Sequence, residues 1–237
     1  MTTDARRAQL RDNLNRTREA LAAACADAGR DPASVRLIAV TKTFPAADAA
    51  ALAELGQRDL GENRDQEAAP KAADLAARGL DPVWHFVGQL QRNKARSVAG
   101  YAHWVHSVDR ARLVDALEGA AASSGRDRNL NALIQVSLDG DTSRGGVPVA
   151  EVEPLAERIA AARHLDLKGV MAVAPLGWEP ARAFALLREC SEAVRRVDPA
   201  ATEVSAGMSG DFREAVACGA TMVRLGRNVL GERESMA

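Results

Sequence analysis

The chain of 237 residues is 47% hydrophobic and 27% charged, which suits one sizeable packed core and excludes disorder and collagen-like repeats. Thirty-one Lys and Arg stand against 32 Asp and Glu, a formal net charge of -1, so no electrostatic surplus is available to drive nucleic-acid or membrane binding. Its apolar runs fall far short of the roughly 18 residues that span a bilayer, and Arg6 and Arg7 precede no apolar signal segment, so a cytoplasmic protein is expected.

From Thr3 to Ala28 the apolar positions Leu10, Leu14, Leu21, Ala24 and Ala28 recur at helical spacing, and Gly29 offers a C-terminal cap. The arginines of this helix are interleaved with Asp4, Asp12, Glu19 and Asp27, so they read as a solvated face and not as a nucleic-acid arm. Beyond it, short β-branched or aromatic runs at 36–40, 59–61, 83–88, 104–108, 132–137, 167–173, 203–206 and 222–225 alternate with stretches of helical length at 46–55, 64–78, 110–123, 149–163, 180–196 and 211–218. Strand followed by crossover helix, about eight times over, predicts an α/β fold: a single (β/α)8 TIM barrel with an extra N-terminal helix. An open doubly wound sheet is the alternative. No Gly/Pro/Ser-rich linker divides the chain, so residues 1–237 are read as one domain. Cys25, Cys190 and Cys218 are odd in number and lack C-x-x-C spacing, which predicts buried thiols in place of a disulfide framework or a zinc site.

The functional face of such a barrel lies where the chain leaves the strands at their C-terminal ends. Polar and glycine residues gather there: Thr41-Lys42-Thr43, Glu62-Asn63, Gly88-Gln89, Asp109, the segment from Ser205 to Asp211, and Gly226-Arg227-Asn228. Lys42 follows the apolar run Leu37-Ile38-Ala39-Val40. A lysine in a barrel mouth is expected to be partly desolvated, which favours the neutral amine that attacks aldehydes; a plain surface lysine is the alternative. Gly207-Met208-Ser209-Gly210-Asp211, followed by Arg224 and Gly226, fits an anion cradle after the last two strands. The other reading makes Ser209 or Asp211 a helix cap and the glycines turns. His103 and His106, three apart on one strand, are expected on opposite faces and hold no shared metal. The segment Asp139-Gly140-Asp141 opens like a calcium loop, but Arg144 stands where that loop needs Gly. No GxGxxG, P-loop or hydrolytic triad is present.

In sum these segments closely resemble the pyridoxal phosphate homeostasis protein family, whose fold is like the N-terminal barrel of alanine racemase. The carriers are Ala39-Val40-Thr41-Lys42-Thr43, Gly61-Glu62-Asn63 with Gln66-Glu67, Trp84-His85-Phe86-Val87-Gly88 through Lys94, Ser107-Val108-Asp109, Gly169-Val170-Met171, Gly207 to Asp211, and Val223-Arg224-Leu225-Gly226. The resemblance implies that Lys42 binds the aldehyde of pyridoxal 5'-phosphate (PLP) as a covalent aldimine. It also implies that Ser209 and the backbone at Gly226 and Arg227 hold the phosphate, and that Arg224 and Asn63 stand near the ring. His85, Ser205 and Met208 complete the expected cofactor-binding set. The chain departs from the family pattern at Ala206, usually Met, at Arg144, usually Lys, and at Arg227, usually Ser or Thr; the last replaces a hydroxyl by a guanidinium facing the phosphate.

Three function classes then stand side by side. A racemase-like PLP enzyme needs two positioned bases, whereas the barrel offers Lys42, and the single tyrosine, Tyr101, precedes the fourth strand. A Schiff-base aldolase would also use a barrel lysine and a phosphate cradle. The third, which the resemblance favours, is a monomeric carrier that stores PLP or hands it to apo PLP-dependent enzymes and performs no catalysis of its own.

Overall fold

The computed structural model describes residues 3–232. Eight parallel strands close into a barrel: β1 (Arg36–Val40), β2 (Asp59–Glu62), β3 (Val83–Phe86), β4 (Trp104–Val108), β5 (Leu130–Ser137), β7 (Leu165–Met171), β8 (Glu203–Ser205) and β9 (Met222–Leu225). They lie in the order β4-β3-β2-β1-β9-β8-β7-β5, and pairing of β4 with β5 shuts the ring. The two-residue β6 (Val147–Pro148) pairs with the end of β5 outside it.

Because side chains alternate across a strand, each strand has two faces to satisfy. Outward residues such as Leu37, Ala39, Leu60 and Leu225 pack under the helices, while Ile38, Trp104, Leu133, Met171 and Met222 fill the barrel. The interior is not wholly apolar, since His85, His106, Ser205 and Arg224 are buried there as well.

Around the ring run α2 (Ala46–Glu54), α3 (Asp65–Ala77), α4 (Ala95–Tyr101), α5 (Ala111–Ser123), α6 (Val152–Ala160), α7 (Pro180–Val197), α8 (Phe212–Ala217) and α9 (Arg227–Leu230). The N-terminal helix α1 (Asp4–Asp27) is the expected addition, capped by Thr3 through its contact with the Arg6 N–H. Gly29 takes the left-handed conformation, with φ 65°, just past its end. Leu10, Leu14 and Leu21 face inward. Arg6 and Asn13 donate to the carbonyls of Leu230 and Val229, and Thr17 to that of Asn228, so α1 holds the short helix α9 in place.

The sequence pattern misses α4 and α9, because seven and four residues make too few turns to display a helical period. It also runs β3 and β7 two residues too far: Val87 and Gly88, Ala172 and Val173 have left their strands. His103 stands before β4 and not on it, its Nδ1 accepting from the Trp84 N–H at 3.0 Å. Cys25 and Cys190 are buried as expected, but Cys218 is half-buried. No helix among the described residues is long and apolar enough to cross a membrane.

Candidate functional site

A cavity of about 690 Å³ opens where the strands end, and Lys42, Asn63, Met208, Ser209, Arg224, Gly226 and Arg227 all line it. Lys42 is held by its neighbours. The Thr41 hydroxyl donates to Glu62 Oε1 at 2.6 Å, and Lys71 Nζ, on α3, donates to the Thr41 carbonyl at 2.9 Å. On the other side the Thr43 N–H donates to Glu67 Oε2, also on α3, at 2.9 Å. Thr43 has φ 66°, a left-handed conformation that costs a β-branched residue and persists only when its surroundings fix it. The Lys42 side chain itself is exposed, so the expected desolvation of its amine is not found.

Beneath this loop lies a buried ion pair between Lys71 and Glu62. Burial pushes the Glu62 carboxyl up, against the pull of the Lys71 ammonium and the Thr41 hydroxyl.

The opposite wall is the turn after β8. Gly207 has φ 90°, and a Cβ there would come within 2.7 Å of the Ala215 Cβ, so only glycine fits. The Met208 N–H donates to Asp211 Oδ1 at 2.6 Å, and the Asp211 and Phe212 N–H groups return to the Met208 carbonyl. Asp211, and not Ser209, therefore closes the turn and stands at the N-terminus of α8. The Ser209 hydroxyl makes no hydrogen bond among the described residues. The helices α8 and α9 have six and four residues, so the groups on this wall able to receive an anion are individual N–H groups, the Ser209 hydroxyl and Arg227 more than a helix dipole.

Arg224 rises from β9 into the floor. Its Nη1 donates to the carbonyl and hydroxyl of Ser205 at 2.8 and 2.7 Å, and its Nη2 to the Ala172 carbonyl at 2.9 Å. A guanidinium has five donors, so two N–H groups stay uncommitted. Burial lowers its pKa to about 10, against the pull of Asp211, which leaves it cationic at neutral pH. Asn63 contributes a buried Oδ1 with no partner, and Gly88 lies so close that a Cβ would be 2.2 Å from the Asn63 carbonyl oxygen.

Of the residues singled out from sequence, the structure brings seven to the cavity and keeps two below it. Ser205 is fully buried under Arg224. His85 lies deeper, its Nε2 at 3.0 Å from Asp59 Oδ1 and its Nδ1 at 3.0 Å from His106 Nε2. Sequence reasoning assigned no cofactor role to Asp211, Val173 or Met171, which also line the cavity; their places after or at the ends of β8 and β7 are the signal that could have found them. Val173 and Met208 are unusually exposed apolar side chains, an apolar margin suited to a flat ring. An orphaned amide oxygen, a free hydroxyl, uncommitted guanidinium donors and an open amine together form a donor set that fits a phosphorylated aromatic aldehyde such as PLP.

The sequence profile of the alanine racemase N-terminal domain matches residues 6–234. A pyridoxal phosphate homeostasis protein of Mycobacterium leprae is 43% identical over 240 residues, covering 95% of this chain and 93% of the relative. An unknown protein from Bifidobacterium adolescentis superposes with a TM-score of 0.87 at 30% identity, over 97% of each chain. PipY of Synechococcus elongatus, solved with PLP bound, gives 0.81 at 35% identity over 94% of this chain and all of that one, 100%.

Proposed function

The chain belongs to the alanine racemase N-terminal-domain family, and on that premise we propose that it is a PLP-binding protein of PLP homeostasis, working in the cytoplasm as one cofactor-binding domain over residues 1–237. The observation that carries the reading is a single open lysine, Lys42, in the same cavity as the free Ser209 hydroxyl, Gly226, Arg227 and the Arg224 guanidinium. PLP supplies a reactive aldehyde and an electron-withdrawing ring. Lys42 would hold PLP through that aldehyde, an attachment that forms with loss of water and is covalent but reversible. Ser209, the Gly226 and Arg227 backbone and the Arg227 side chain hold the phosphate; a guanidinium offers the phosphate two N–H donors where a hydroxyl offers one. Asn63 and Arg224 orient the ring.

Carriage, and delivery to apo PLP-dependent enzymes, fits this set better than turnover. Tyr101 lines a separate recess with Trp84 and His103, before β4 and away from Lys42, so it offers no second base. Arg224 donates where a carboxylate would be needed to keep the ring nitrogen protonated, which weakens the ring as an electron sink. A Schiff-base aldolase would draw on the same lysine and cradle, and what favours PLP over it is the likeness to a pyridoxal phosphate homeostasis protein and to PipY solved with PLP. The test is the absorbance spectrum of the PLP-loaded protein before and after borohydride, with peptide mapping of the reduced adduct. The adduct is expected on Lys42, and Lys42→Ala is expected to fold but stay colourless. An adduct on Lys71, Lys94 or Lys168 would overturn the assignment.

A further inference from the structure

Below the cavity a row of five side chains crosses the barrel interior. Arg224 Nη1 lies 2.7 Å from Ser205 Oγ, Ser205 Oγ lies 2.9 Å from His106 Nδ1, His106 Nε2 lies 3.0 Å from His85 Nδ1, and His85 Nε2 lies 3.0 Å from Asp59 Oδ1. Asp59 is the first residue of β2, at the end of the barrel opposite the cavity. His85, His106 and Ser205 are buried, at 1%, 0% and 0% exposure, so water does not interrupt the row.

The direction of every bond follows from the two ends. A guanidinium only donates and a carboxylate only accepts. Ser205 Oγ accepts from Arg224 and keeps its own proton free to give to His106 Nδ1. His106 then carries its proton on Nε2 and gives it to His85 Nδ1, and His85 carries its proton on Nε2 and gives it to Asp59. One neutral tautomer for each ring satisfies all four contacts. The opposite direction would set a bare ring nitrogen against the Asp59 carboxylate, or add a proton to a buried ring, and would make Ser205 accept twice.

The surroundings hold this state. Trp104 stacks on His85, with ring centroids 5.7 Å apart and planes 11° from parallel. The Arg36 guanidinium stands 3.7 Å from Asp59 Oδ1, 3.8 Å from Glu203 Oε1 and 5.2 Å from the centre of the Trp104 ring. His103 and Arg36 act on His85, and His85, Arg224 and Arg36 on His106, all opposing a positive charge, while Asp59 favours one on His85. Asp211 is the acidic group that acts on Arg224. Burial is the largest influence on both rings and lowers their pKa values, that of His106 well below the ordinary value.

We propose that Asp59, His85 and His106 are positioning residues for Arg224: the row fixes the direction of hydrogen bonding from one mouth of the barrel to the other, so that the Ser205 proton stays turned to His106, its lone pairs stay open to Arg224, and the guanidinium meets the ring in one preset orientation. This rests on the PLP-binding reading for the identity of the ring, but the tautomers are properties of the protein alone. Nitrogen-15 NMR of labelled histidines, in the protein without PLP, reads them directly. His85 and His106 are expected neutral and protonated on Nε2 at neutral pH. Asp59→Asn places an amide that donates as readily as it accepts, so both directions become populated. The His106 shifts should then move toward a mixture of the two tautomers, and PLP affinity should fall by about three- to tenfold with the melting temperature followed in parallel. Asp59→Glu, which keeps an acceptor, should restore the single tautomer. Nδ1 protonation of His106 in the unsubstituted protein, or an unchanged His106 signal in Asp59→Asn, would overturn the proposal. Failure of the unsubstituted protein to bind PLP would instead overturn the functional reading and leave the tautomer result standing on its own.

Discussion

Between Thr41, whose carbonyl accepts from Lys71, and Thr43, whose N–H donates to Glu67, the Lys42 side chain makes no ion pair among the described residues, whereas Lys71, Lys94 and Lys168 pair with Glu62, Asp65 and Asp166. An amine already committed to a carboxylate must give up that contact to react, so Lys42 is the amine that is both open and held in place. Its position after an apolar strand placed it at a barrel mouth but left a plain surface lysine open, and the family resemblance singled it out; its exposure agrees with the surface alternative and not with the expected desolvation. In the proposed function the cradle and the ring contacts are separate groups, so phosphate and ring can be tested apart. Ser209→Ala removes a hydroxyl with no other partner among the described residues, so it is expected to weaken PLP binding by several-fold but leave pyridoxal, which lacks the phosphate, unaffected. Arg224→Ala should weaken both forms, by roughly ten- to a hundredfold if one charge-assisted hydrogen bond of about 1.5 to 3 kcal/mol is lost. Absorbance titration of each variant with PLP and pyridoxal measures both effects; equal weakening of the two ligands by Ser209→Ala would show that this hydroxyl does not face the phosphate.

At the scale of elements, the eight barrel strands were legible because each carries a short apolar run before a crossover long enough to return to the next parallel strand. The helix α4, from Ala95 to Tyr101, and the bridge β6 were not, being too short to show a period. Nor was the inward or outward sense of each polar residue. His85 was expected near the cofactor on the family resemblance, but it points into the barrel one step below, where Asp59 and His106 take both its ring nitrogens. The buried pair of Glu62 with Lys71, nine residues apart on β2 and α3, also left no signal in sequence, yet it ties the helix to the Lys42 loop. Removing one partner of a buried pair strands the other charge, at a cost of about 3–5 kcal/mol. Lys71→Met is therefore expected to lower the unfolding free energy in urea by about that much and to loosen the Thr41 carbonyl it holds. Adding Glu62→Gln should recover much of the loss, since the stranded carboxylate disappears. Two substitutions with additive penalties would show that the pair is not energetically coupled.

Taken over the whole molecule, the buried histidine row makes stability depend on pH in a defined sense. His85 and His106 have pKa values lowered by burial, while in the unfolded chain both titrate near the ordinary value of about 6.5. The unfolded state thus binds more protons below that value, and stability rises with pH there. Their contribution is complete above about pH 6.5 and is lost as pH falls toward the folded-state values, with a slope approaching about 1.4 kcal/mol per pH unit for each ring. His103, half-buried with its pKa also lowered, acts in the same direction. Glu62 acts in the opposite one, because its raised pKa gives stability that is present at low pH and lost as pH rises. The total slope therefore mixes both signs, and the difference between variants isolates the histidines. Urea unfolding at pH 7 and at pH 5 should show a smaller loss on acidification for His106→Gln than for the unsubstituted protein, by up to about 1.4 kcal/mol per pH unit, even though His106→Gln is the less stable of the two at pH 7. An identical loss in both would mean that His106 is protonated without penalty in the folded barrel, and that the interior row does not hold its ring neutral.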